Sequence, residues 1–314
     1  MPRRGTAFQP VAGENSTWGA MYNERREGSM RSIRGLIRQP ASGVRLMGVL
    51  NVTPDSFSDG GKFLDPQAAV ARALEMAAQG ADSIDMGAES SRPGSTPVPP
   101  AEQMARLLPV LKAFRRQSGL PVSIDTRSAA VAEACLDEGA NIINDISAMR
   151  HDPRMKTVVA RRACDIILMH MQGTPETMQQ DPRYDDVVAE IIAFFQARLK
   201  ACASAGIAST RVMVDPGIGF GKTLEHNLEI LRRLREFAVL QRPLVIGVSR
   251  KSFLGKLTNE PVAERRVAAS VAAGLLAVQA GAAVLRVHDV AEHRAALRVA
   301  EAVGGRCSPP VTST

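Results

Sequence analysis

The chain has 314 residues, 45% of them apolar, enough to bury a large core as one barrel-sized domain or two smaller ones. Its formal charge of +7 is uneven: residues 1–44 hold seven Arg against three Glu, or +4 of the total, and leave a body at +3, which suits an enzyme that handles anions and not a nucleic-acid binder. The four cysteines lie far apart with no Cys-x-x-Cys pair, which argues against a zinc site or a disulfide framework and for a reducing, cytoplasmic setting.

Residues 1–44 lack sustained periodicity and are rich in Arg, Gly, Ser and Asn, so they read as a basic, disordered extension. No apolar stretch of the signal-peptide kind opens the chain. The body, residues 45–305, begins with Leu46-Met-Gly-Val-Leu-Asn-Val-Thr-Pro-Asp-Ser-Phe-Ser-Asp-Gly-Gly61. Its first five residues have the pattern of a strand buried on both faces. At Asn51 the run turns polar, and Pro54 removes a ladder donor. A buried strand that opens into a glycine-ended polar loop is where α/β proteins place chemistry.

From there one unit repeats: short apolar run, polar loop, amphipathic helix, glycine stop. The runs are Leu46–Leu50, Ser83–Gly87, Val122–Asp125, Ile142–Ile146, Asp165–Met169, Val212–Asp215, Leu244–Val248 and Val284–Val287. Helical patterns fall near 66–79, 101–117, 128–138, 153–162, 185–205, 225–239, 262–280 and 290–303, with Gly80, Gly139, Gly206 and Gly281 where helix stops belong. Eight such units predict an α/β fold of the (β/α)₈ TIM-barrel type in a single domain, followed by a short tail at 306–314. Periodicity cannot show closure, so an open doubly wound sheet stays as the alternative, without its Gly-x-Gly-x-x-Gly fingerprint. The uncharged run Val267–Leu285 divides into a helix and a strand, which argues against a membrane span.

A barrel places its chemistry at the C-terminal ends of its strands. Those ends carry Asn51, Glu89-Ser-Ser-Arg-Pro-Gly94, Asp125-Thr-Arg127, Asn144 with Asp145, His170-Met-Gln172, Asp215-Pro-Gly-Ile-Gly-Phe-Gly-Lys222, Ser249-Arg-Lys-Ser252 and Arg286-Val-His-Asp289. Asp65, Ser128 and Asp289 read as helix caps. Asp125, Asn144, Asp215 and Lys251 form a donor–acceptor set suited to the edge of a flat, nitrogen-rich heterocycle. Met169 and Phe220 offer surfaces to its face. Arg286 and His288, across the closing seam from Asn51, read as a cationic pair beside a neutral oxygen ligand, a site for a diphosphate with Mg²⁺. Gly217-Ile-Gly-Phe-Gly-Lys222 lacks the spacing of a nucleotide phosphate loop.

The blocks MGVLNVTPDSFSDGG, DMGAESSRPGS, SIDT, NDIS, MHMQGTPETMQ, DPGIGFGK, SRKSFLG and RVHDV, in that order between Leu46 and Val303, resemble dihydropteroate synthase. The resemblance implies a barrel transferase of folate synthesis, a target of sulfonamides and usually a homodimer, with no nucleic-acid or membrane partner. Such an enzyme joins 6-hydroxymethyl-7,8-dihydropterin diphosphate to p-aminobenzoate with release of diphosphate. It further implies pterin contacts at Asp125, Asn144, Asp215 and Lys251, with Ile146, Met169 and Phe220 among the substrate-binding residues, and diphosphate anchors at Arg286 and His288. Asn51 resembles the Mg²⁺ ligand, Ser91 and Arg92 belong to the second loop, and Phe57 and Ser252 resemble part of the p-aminobenzoate pocket. Gly87-Ala88-Glu89-Ser90-Ser91 stands where the family usually has Gly-Gly-Glu-Ser-Thr, a departure that touches loop shape. Two rivals are a methyltransferase sharing the pterin rim and a silent pterin-binding paralogue. The first has no need of the NVTPDSFSDGG loop or the Arg286/His288 pair, and the intact rim opposes the second.

Overall fold

A computed structural model describes residues 43–53, 65–90 and 94–304. The basic extension and the C-terminal tail lie outside the described residues. The apolar runs form β1 (Arg45–Asn51), β2 (Ser83–Gly87), β3 (Val122–Asp125), β4 (Ile142–Asp145), β5 (Asp165–Met169), β6 (Val212–Asp215), β7 (Val245–Ile246) and β8 (Val284–Val287). Between and after them run α1 (Pro66–Ala78), α2 (Pro100–Arg115), α3 (Ala129–Asp137), α4 (Met155–Arg162), α5 (Val187–Ser204), α6 (Leu224–Arg232), α7 (Ser252–Thr258), α8 (Val267–Gln279) and α9 (Val290–Gly304).

The strands are parallel and ordered β6-β5-β4-β3-β2-β1-β8-β7, and a bridge between Val214 and Leu244 joins the two ends. The sheet is therefore a barrel, and the open-sheet alternative falls away. Register then fixes what points inward, because paired residues in a parallel ladder face the same side. Met47, Ile142, Ile167, Met213, Val245 and Val284 pack together as the apolar floor of the barrel. Two residues further along these runs stand Val49, Asn144, Met169, Asp215, Gly247 and Arg286, so one step of the strand period places the polar Asn144, Asp215 and Arg286 among the inward residues. The outward residues, such as Leu46, Ile84, Ile124 and Ile143, join Phe114, Phe195 and Phe237 in the layer beneath the helices.

The local signals act as chemistry requires. Asp65 accepts the Gln67 N–H at the start of α1, and Ser128 accepts that of Val131 at the start of α3. Gly80, Gly139, Gly206 and Gly281 have φ of 99°, 91°, 76° and 107°, the left-handed stops that Gly reaches without strain. Asp289 departs from expectation: both of its carboxylate oxygens are hydrogen bonded to Arg250. The expected helices at 225–239 and 262–280 each break in two, into α6 plus a 3₁₀ segment Leu234–Leu240, and into a 3₁₀ segment Ala263–Arg266 plus α8. The short α7 begins after the turn that follows β7 and, at seven residues, is too brief to show a period. Among the described residues no helix is long and apolar enough to cross a membrane.

Candidate active site

The C-terminal mouth brings together the set that the sequence singled out. Asp125 and Asp215 close β3 and β6 and Asn144 is the penultimate residue of β4, all on the inward face; Lys251 follows β7, and Arg286 lies on β8. Beside them Ile146, Met169 and Phe220 form one apolar cluster with Met171 and Met178, and the Lys251 ammonium sits 4.1 Å from the Phe220 ring centroid. A polar edge next to an apolar face is the lining a flat polar ring needs. Asn51 is exposed at the end of β1, opposite Gly87 of β2. A Cβ on Gly87 would stand 3.3 Å from that of Asp125, so the absence of a side chain there makes room for the carboxylate. Ser252 opens α7 and is exposed. Phe57, Ser91 and Arg92 lie outside the described residues.

Below the rim runs a network that sequence reasoning missed. Arg286 donates through Nε to Asp85 Oδ2 at 2.6 Å and through Nη2 to Asp125 Oδ2 at 2.9 Å. The same Asp85 oxygen accepts Nδ2 of Asn144 at 3.1 Å, which turns the Asn144 carbonyl away from Asp85. Asp85, 0% exposed, thus orients two rim residues at once. Its signal was present in Ser83-Ile-Asp-Met-Gly87: a carboxylate inside a buried strand must be paired.

Charge at the mouth is finely divided. Two carboxylates share one guanidinium; burial pushes Asp125 up to about 7, while Arg286 pulls the other way. Burial opposes the charge on Arg286, yet Asp85 and Asp125 outweigh it and hold the guanidinium above its ordinary range. Burial raises Asp215, lowers Lys251 to about 8 and lowers the neighbouring Lys222 to about 7. The expected cationic pair needs correction. Burial, with Arg286 and Arg250 nearby, lowers His288 to about 3, so in the free protein the imidazole is neutral and Arg286 alone carries positive charge.

Two other rim residues turn outward, as strand alternation demands. Asp145 accepts Ser147 N–H at 2.8 Å, Ser147 Oγ–H at 2.6 Å and Met149 N–H at 3.0 Å, anchoring a turn in which Ala148 and Met149 have φ of 51° and 59°. His170 packs edge-on against Phe194 of α5 and holds Nδ1 3.0 Å from Lys222 Nζ. Lys222 also donates to the Phe220 carbonyl at 2.9 Å, tying the loop from Asp215 to Lys222 against β5. In that loop Gly217 has φ of 70° and donates its N–H to Asp215 Oδ1 at 2.8 Å. A Cβ on Gly217 would lie 2.0 Å from the His170 carbonyl oxygen. Only glycine fits there. Among the described residues no three His, Cys, Asp or Glu side chains cluster to hold a metal ion.

Comparison with known proteins points the same way. Residues 47–288 match the family model described as pterin binding enzyme. The chain is 46% identical over 265 residues to dihydropteroate synthase of Neisseria meningitidis serogroup B, covering 83% of this chain and 93% of that one. It is similar to the solved Xanthomonas albilineans dihydropteroate synthase with 4-aminobenzoic acid at 45% identity and a TM-score of 0.79, over 85% of this chain and 94% of that one. The structure of the same enzyme in complex with 7,8-dihydropteroate aligns at 42% identity and a TM-score of 0.76, over 85% and 95% of the two chains.

Proposed function

Given that the chain belongs to the pterin binding enzymes and, among them, to the dihydropteroate synthases, we propose how the residues at its mouth divide the work of that reaction. The enzyme joins 6-hydroxymethyl-7,8-dihydropterin diphosphate to p-aminobenzoate, giving 7,8-dihydropteroate and diphosphate. The observation that carries the assignment of roles is the set Asp125, Asn144, Asp215 and Lys251 standing around the apolar patch of Ile146, Met169 and Phe220.

The pterin ring lies on that patch, with its amino and ring N–H donors toward Asp215 and the Asn144 carbonyl, and Lys251 donating to its carbonyl or ring nitrogen. Asp125 stands on the same edge, braced by Arg286. The diphosphate extends toward the seam between β1 and β8. There the Nη1 edge of Arg286, which has no hydrogen-bond partner among the described residues, and neutral His288 meet its oxygens. Ser252 and Phe57 serve the p-aminobenzoate side, and Ser91 and Arg92 of the second loop answer the charge of the diphosphate. Asn51 gives one hard, neutral, exposed oxygen, a donor set that fits Mg²⁺ retaining most of its water and no caged metal. When bound, that ion supplies charge neutralisation at the diphosphate.

The C–O bond to diphosphate breaks with its electron pair leaving on oxygen, and the electron-rich pterin stabilises the positive charge on its exocyclic methylene. The amine of p-aminobenzoate forms the new C–N bond and then loses a proton, so no general base is required. What the protein contributes is alignment and donors for the departing charge. A homodimer and a cytoplasmic setting complete the proposal: Leu257, Val262 and Leu276 present exposed apolar surface around α7 and α8, and Cys135, Cys164 and Cys202 are buried and unpaired. Diphosphate release from pterin diphosphate, dependent on p-aminobenzoate, tests the reaction. Asp215→Ala tests the placement and is expected to weaken pterin binding by at least ~1–3 kcal/mol; unchanged affinity would remove Asp215 from the pterin edge.

A further inference from the structure

β7 and β8 pair through Val245 with Val284 and Ile246 with Leu285. Past that point the two chains stay in step through side chains. The backbone N–H of His288 donates to Ser249 Oγ at 3.2 Å, and the same oxygen lies 3.1 Å from His288 Nδ1. One residue on, Arg250 clasps Asp289 through Nε at 3.1 Å and Nη2 at 2.5 Å. The His288 ring is therefore held both by its own hydroxyl partner and by a clamped neighbour.

A serine hydroxyl has one proton to give and two lone pairs to receive. Ser249 is 4% exposed, so solvent does not satisfy it. One lone pair takes the His288 N–H. Among the described residues, the acceptor within reach of its proton is Nδ1 of the same histidine. Were Nδ1 protonated instead, two N–H groups would point at one oxygen and the buried hydroxyl proton would have no acceptor, the arrangement that folded proteins avoid. We propose that Ser249 is a positioning residue that fixes His288 in its Nε2–H tautomer and so presents a neutral N–H donor to the substrate diphosphate.

The other tautomer would aim the Nε2 lone pair at an anionic oxygen, where it repels. Arg286, two residues earlier on the same face of β8, supplies the charge, and His288 supplies a directed donor without a second buried cation. The inference about the tautomer stands on the free protein; its consequence for substrate rests on the placement of the diphosphate given above.

The test uses the full chain labelled with ¹⁵N-histidine, its five histidines resolved by long-range ¹H–¹⁵N correlation and His288 assigned by loss of its signals in His288→Gln. The expected pattern for His288 at neutral pH is a protonated Nε2 and a hydrogen-bonded, unprotonated Nδ1. Ser249→Ala is expected to shift the Nδ1 resonance toward that of an unbonded nitrogen. It should also raise KM for pterin diphosphate roughly three- to tenfold, as for one weakened hydrogen bond, with a smaller change in kcat. Ser249→Thr, which keeps the hydroxyl, is expected to restore both. An Nδ1–H or imidazolium signature in the unmodified protein overturns the proposal, whatever the variants do. So does a Ser249→Ala protein whose Nδ1 resonance and KM are both unchanged. If the tautomer is as proposed but His288→Gln leaves KM for pterin diphosphate unchanged, the diphosphate placement fails while the role of Ser249 on the histidine stands.

Discussion

At the scale of single residues, Asp85 shows what strand periodicity reveals and what it withholds. Alternation from Gly87 puts Asp85 on the inward face, and a buried carboxylate implies a partner. The partner itself is 201 positions away, beyond anything spacing can express. Asp85→Asn keeps the volume and removes the charge that balances Arg286, and the new amide can present N–H where an acceptor stood. Pterin affinity is expected to fall by ~1–3 kcal/mol, with a lower melting temperature; calorimetry that finds pterin binding unchanged would reduce Asp85 to a core neighbour. The titrating groups give a second expectation. Below about 7 Asp125 takes up a proton and loses the charge that strengthens its acceptance from the ring. Above about 8 Lys251 loses one and donates only as a weaker, neutral amine. Pterin affinity should therefore fall on both the acidic and the basic side, and Asp125→Asn should weaken the acidic limb, to which Asp215, also raised by burial, contributes, while leaving the basic limb in place. An acidic limb unchanged in Asp125→Asn would assign it to another group.

At the scale of elements, the strands and glycine stops were legible because each rests on local chemistry, as with the Asp65 cap on α1 or the left-handed Gly281. The breaks after Arg232 and before Val267 were not, since tertiary packing decides where an apolar stripe stops being helical. The loop from Asp215 to Lys222 was legible as a site and opaque as a mechanism of positioning. Its lysine turns away from the mouth to His170, and its first glycine presses on the β5 backbone. Two glycines separate strain from collision. Gly206 and Gly217 have φ of 76° and 70°, yet a Cβ on Gly206 meets nothing within 4 Å while one on Gly217 meets the His170 carbonyl at 2.0 Å. Gly206→Ala is expected to cost about 1 kcal/mol of stability by backbone strain. Gly217→Ala should cost ~3 kcal/mol or more and weaken pterin binding as Asp215 loses its N–H donor. Urea unfolding of both variants checks this, and equal losses would mean that the loop yields without disturbing β5.

At the scale of the whole molecule, eight repeating units foretold the strand count, and only the Val214–Leu244 bridge decides that the sheet closes. Closure is what brings Asp85, Asp125, Asn144 and Arg286 from four strands to one network, and it also sets how deep each substrate site lies. On the pterin side Asn144 and Asp215 are 4% and 6% exposed, with an apolar patch already packed beside them. On the p-aminobenzoate side the described residue assigned to contact, Ser252, is exposed at the start of α7. Among the described residues, one site is thus walled before any ligand arrives, and the other is marked by Ser252 alone. A bound pterin diphosphate supplies a second surface: a flat ring edge, and a charge for the first two loops to meet. The binding of p-aminobenzoate should accordingly be weak to the free enzyme and at least tenfold tighter once pterin and diphosphate are in place, the order of gain that a first ligand gives by completing a site. Linkage requires the reciprocal effect, p-aminobenzoate tightening pterin diphosphate by the same factor. Titration of p-aminobenzoate by calorimetry, with and without pterin plus Mg²⁺-diphosphate, measures it directly. Equal affinity in the two titrations would mean that the second pocket is complete without the first ligand, and the order argued from burial would be wrong.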